Sequence, residues 1–73
     1  MEEKEFLKKM GIEVRVARLR KDLTIKEVSK LSGLGLNCIV DTENGHRNTG
    51  IIVLKRIADT LGVSVADFFI FVK

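Results

Sequence analysis

A chain of 73 residues, 45% of them hydrophobic, has the apolar content for one packed domain and too little length for a second. One cysteine excludes an internal disulfide, and one histidine leaves no His/Cys cluster for a structural zinc, so packing must hold the core. The net charge of +3 leans only mildly toward polyanions, the charged N-terminus MEEKEFLKK has no signal-peptide core, and the longest apolar run, FFIFV at 68–72, is far short of a membrane span, so a cytoplasmic protein is expected.

With no proline, no hairpin signal and no strand-like alternation, the sequence predicts an all-helical domain over residues 1–73. Helix 1 is expected from about Glu3 to Lys21, with Phe6, Met10, Val14 and Ala17 on one face. Gly11 weakens it, and Asp22 suits a left-handed exit. Thr24-Ile25-Lys26-Glu27 is a capping box that starts helix 2, with Val28 and Leu31 inward and Gly33 as its C-terminal stop. Leu34 follows where an apolar residue plugs the angle between two helices. Helix 3 is expected over about Leu36–Glu43, with Gly35 as a weak N-cap, Ile39 inward and Asn44-Gly45 as its stop. Helix 4 runs from about Gly50 to Leu61, with Ile51, Leu54, Ala58 and Leu61 on one face, Ile57 beside them, and Gly62 at its end. Ser64 and Asp67 form a second capping box, opening a C-terminal helix over 64–72 with Val65, Phe68, Phe69 and Val72 as its stripe.

Two short helices joined by a tight glycine-containing turn, within LTIKEVSKLSGLGLNCIVDTENG at 23–45, have the lengths of a helix-turn-helix. Basic charge gathers beside it. Residues 15–30 hold Arg15, Arg18, Arg20, Lys21, Lys26 and Lys30 against only Asp22 and Glu27, whereas acidic and basic residues nearly cancel over the first thirteen.

The chain resembles the Cro and lambda-repressor (XRE-like) type of helix-turn-helix domain over nearly all of residues 12–69. The matching pieces are Arg18, Leu23-Thr24, Leu31-Ser32-Gly33-Leu34, Ile39, Glu43-Asn44-Gly45, Arg47 and the stretch LKRIADTLGVSVADFF at 54–69. The resemblance implies a five-helix fold, an Arg18–Glu43 ion pair, and a two-fold dimer that sets helix 3 into the major groove of operator DNA. A DNA-facing set follows: Thr24, Ile25, Lys26, Gly35, Leu36, Asn37, Cys38, Asp41, Asn44, His46 and Arg47.

The reading face departs from the family. Leu36, Asn37, Val40, Asp41 and Asn44 stand where Gln, Arg, Ser or Lys is usual, and Ile25 replaces a common phosphate-contacting Gln. Two readings follow. In one, Asn37 pairs with adenine, Asp41 accepts from a cytosine amine and Leu36 packs on a thymine methyl. Arg20, Lys21, Lys26, His46, Arg47 and helix-terminal amides then hold phosphates. In the other, Ile25, Leu36 and Val40 form an apolar patch for a protein partner, in an antitoxin-like or other interaction module with weak or no DNA binding.

Cys38 has no neighbouring base, Gly33-Leu34-Gly35 follows no strand, and no catalytic constellation assembles, so no enzyme, cofactor, metal or small-molecule ligand is expected. Phe68, Ile70, Phe71 and Val72 give the C-terminal helix more apolar surface than one face can bury. Cover comes either from Phe6 and Leu7 or from a second subunit, and a homodimer through this helix is the expectation.

Overall fold

The computed structural model describes residues 1–73. Its elements are α1 (Glu3–Arg20), α2 (Ile25–Ser32), α3 (Leu36–Glu43), α4 (Ile51–Leu61) and a C-terminal 3-10 helix (Val65–Phe69), with no strand. Local chemistry sets most boundaries. Glu3 and Glu5 occupy the first turn of α1, and Arg18 and Arg20 its last, each sign matching the helix dipole. Asp22 then turns the chain at φ 58°.

The Thr24 hydroxyl accepts from the Glu27 amide at 3.1 Å, and the Glu27 carboxylate accepts from the Thr24 amide at 2.9 Å, which completes the capping box of α2. Gly33 closes α2 at φ 74°, where a side chain would be strained. Across the turn the Ser29 hydroxyl donates to the Leu34 carbonyl, the Leu34 amide donates to Ser32 Oγ, and the Leu34 side chain packs against the core.

One core joins the elements: Met10 and Val14 from α1, Val28 from α2, Ile39 from α3, Leu54, Ile57, Ala58 and Leu61 from α4, and Phe68. α1 lies against α3 and the 3-10 helix, while α2 is wedged between α3 and α4. That wedge overturns one inward assignment: eight-residue α2 buries only Val28, and Leu31 is 65% exposed. Ile51 is exposed too, because it opens α4 ahead of the stretch that its neighbours cover.

The C-terminus also departs from expectation. No α-helix runs over 64–72. Ser64 and Asp67 do form their capping box, but it opens a five-residue 3-10 helix. Three residues per turn set Val65 and Phe68 on one side, toward the core. The Val- and Phe-rich sequence has little intrinsic helicity to extend it, and the Val72 amide closes a turn onto the Phe69 carbonyl. Val72, expected on the buried stripe, is therefore exposed.

Candidate nucleic-acid interface

A single buried carboxylate orients α3. Glu43 is 2% exposed and accepts from Arg18 through two nitrogens, Nε at 2.7 Å and Nη2 at 3.1 Å. The third Arg18 nitrogen, Nη1, donates to the Leu23 carbonyl at 2.8 Å, just before α2. Arg18 thus fastens the C-terminal end of α3 and the approach to α2 to one point on α1. Arg15 adds a longer contact to Glu43 at 3.4 Å and donates to the Asn44 side-chain oxygen at 2.8 Å. In the sequence Arg15 stood out only as part of the basic cluster, although its i, i+3 spacing from Arg18 puts both on one face of α1.

Backbone contact makes this docking tight. A Cβ at Gly11 would collide with the Glu43 backbone carbonyl and come within 2.5 Å of the Thr42 carbonyl. Gly11, expected only to weaken α1, is the seat on which α3 rests. A Cβ at Gly45, at φ 70°, would meet the Lys8 backbone at 2.7 Å. Behind it the Thr42 and Thr49 hydroxyls share a buried hydrogen bond of 2.9 Å, which anchors the segment carrying His46 and Arg47.

With Ile39, Thr42 and Glu43 buried, the other side of α3 faces out. Leu36 and Asn37 are exposed, and Cys38, Val40 and Asp41 are half-buried. Gly35 offers no side-chain cap, so the Leu36 and Asn37 amides have no acceptor within the chain. Thr24 and Lys26 are exposed and Ile25 is half-buried.

The fold brings part of the DNA-facing set together. Thr24, Ile25, Lys26 and Leu36 line one open cleft with Arg18, Leu19, Asp22, Leu23 and Val40, of about 560 Å³. Asn44 and His46 lie elsewhere, in a depression with Lys8 and Lys9 against the N-terminal half of α1. Gly35, Asn37, Cys38, Asp41 and Arg47 line neither, and Arg47 is exposed on its loop. Asn44 is half-buried and engaged by Arg15. The Glu27 carboxyl is held below its ordinary range, first by the Thr24 backbone amide and then by the Thr24 side chain.

At the C-terminus the expected interface residues separate. Phe68 is fully buried in its own chain, so it is a core residue and has no surface to offer a partner. Phe71 turns back onto Phe6 with ring centroids 5.4 Å apart, and Phe69 stacks on Phe6 at 5.7 Å. Ile70 and Val72 remain uncovered, 69% and 50% exposed.

Two short helices crossing at a left-handed glycine turn, the second pinned by a buried carboxylate with its other face open, define a helix-turn-helix domain. The chain belongs to the helix-turn-helix family of XRE type (HTH_3), whose model matches residues 14–68. Among solved structures it is similar to the restriction-modification controller protein C.AhdI from Aeromonas hydrophila, at 28% identity and a TM-score of 0.83 over 86% of this chain and 96% of that one. The clp gene regulator ClgR from C. glutamicum shares 26% identity, with a TM-score of 0.83 over 89% of this chain and 84% of its own. The DNA-binding domain of BldD also shares 26%, with a TM-score of 0.81 over 93% and 97% of the two chains. No curated protein sequence matches the chain. No helix is long and apolar enough to cross a membrane, and no three His, Cys, Asp or Glu side chains gather as metal ligands would.

Proposed function

We propose that the protein is a sequence-specific, DNA-binding transcriptional regulator of the cytoplasm, a repressor or controller that sets α3 into the major groove. The observation that carries this reading is the orientation of α3. Arg18, Glu43 and Gly11 fix its inner face to α1, while Leu36, Asn37 and two unpaired amides stand free at its outer N-terminal end. Base-edge readers need such a rigidly held, outward-facing first turn. Similarity to a restriction-modification controller, a gene regulator and a DNA-binding domain supports it. Exposed Lys26 and Arg47, with Arg20 and Lys21 near the start of α2, supply phosphate contacts.

The protein acts as a homodimer on a palindromic operator, with half-sites about 34 Å apart. Ile70 and Val72 supply the apolar surface that a second copy covers.

A titration against the DNA upstream of its own coding sequence, across a salt series, tests the reading. Affinity that falls steeply with salt and exceeds that for random duplex is expected. Absence of binding at low salt would refute it and leave the outer face of α3 to a protein partner.

A further inference from the structure

The cleft between the first turns of α2 and α3 has a floor that no hydrogen-bonding reader would require. Ile25 from α2 and Leu36 and Val40 from α3, one helical turn apart, meet there, and Leu19 and Leu23 extend the apolar wall. Leu36 is 47% exposed and Leu19 59%, so the wall faces solvent. The rim is different. Lys26, Thr24, the Glu43-paired Arg18 and the uncapped N-terminal turn of α3 border it, with Asp22 the only acid.

We propose that this cleft receives the C5-methyl group of a pyrimidine, thymine in ordinary DNA, and is a principal source of sequence preference. This rests on the DNA-binding reading above and names what the site recognises. Three features select this occupant. The cleft is open and shallow, so it suits the edge of a large ligand and would not enclose a small molecule. Its floor carries no donor or acceptor for a base heteroatom, whereas the thymine methyl is the one apolar group on the major-groove edge of the four ordinary bases. The rim places a cation and unpaired amides beside that floor, which an anionic backbone flanking the methyl satisfies and an apolar peptide would not. Asn37, next to Leu36 and outside the cleft, is left to hydrogen-bond a neighbouring base.

The test starts from duplexes enriched by the protein out of a random pool. Each thymine of an enriched duplex is replaced in turn by deoxyuridine, which lacks only the methyl, and affinity is read by fluorescence anisotropy at fixed salt. At one or two positions per half-site the loss should be about four-fold, the ratio that one buried methyl group gives. At those positions, 5-methylcytosine should be preferred over cytosine by a similar factor. Leu36→Ala, a surface change that leaves the fold intact by circular dichroism, should bring the thymine-to-uracil ratio close to one, whereas Asn37→Ala should preserve it. Tight binding that is equal for thymine and uracil at every position overturns the methyl reading and leaves the DNA-binding reading standing. Failure to enrich any duplex at low salt overturns both.

Discussion

Removing the carboxylate of Glu43 should nearly unfold the protein. The side chain is 2% exposed and receives both Arg18 nitrogens and Arg15 Nε. In Glu43→Ala the Arg18 guanidinium, itself 11% exposed, keeps only the Leu23 carbonyl at 2.8 Å. An uncompensated buried charge of this kind costs about 3–5 kcal/mol. A chain of this size has a total stability of roughly 4–11 kcal/mol at the usual value per residue, so the loss consumes a large share of it. For small domains each kcal/mol shifts Tm by about 4–8 °C, so the expected drop is at least about 12 °C. Thermal unfolding followed by circular dichroism measures it. The pair itself adds little net energy, because desolvation opposes attraction. Arg18→Met combined with Glu43→Leu should therefore recover most of what Glu43→Ala loses. A Glu43→Ala midpoint within about 4 °C of the parent, under roughly 1 kcal/mol, would show that this carboxylate does not hold α3 and would refute the reasoning.

Three further outcomes are expected. Gly11→Ala gains about 1 kcal/mol of helix propensity, but its methyl meets two backbone carbonyls that cannot move aside, so chemical denaturation should show net destabilisation; a stabilised variant would mean that α1 and α3 separate easily. The Glu27 carboxyl is lowered from 4.5, so its charged form is the one the fold favours; the advantage of Glu27 over Glu27→Gln in Tm should hold at neutral pH and vanish as pH falls below that value, and an advantage that grew with acid would contradict the capping assignment. Ile70→Lys changes only exposed surface and should preserve the fold while converting a dimer to a monomer in analytical ultracentrifugation; a persistent dimer would move the interface away from the C-terminus.

Features set by neighbouring residues in sequence were legible from the sequence. The Thr24–Glu27 and Ser64–Asp67 boxes, the stops at Gly33 and Gly62, and the left-handed Asp22 each depend on a few consecutive residues, and the structure has all of them. Periodicity identified the inner faces of α1, α2 and α4 but not how far their cover extends. Leu31 and Ile51 sit on the expected faces yet lie beyond the reach of neighbouring elements. Over 64–72, spacing alone could not distinguish a short 3-10 turn from a longer α-helix, because Val65 and Phe68 satisfy either period.

The site was harder to read because its key relations cross the chain. Gly11 looks like a defect while α1 is considered alone, and it becomes the seat of α3 only when that helix lies against it. The outer residues of α3 were individually visible, and so was their departure from the usual polar set. Ile25, Leu36 and Val40 could be joined into an apolar patch from the sequence, but spacing could not show that Leu19 and Leu23 extend that patch into one open cleft with Lys26 beside it. A polar residue missing from a reading helix, taken singly, suggests weakened recognition. Three apolar residues converging beside a cation and unpaired amides suggest recognition by a different chemistry, in which desolvation of a methyl group replaces a hydrogen bond.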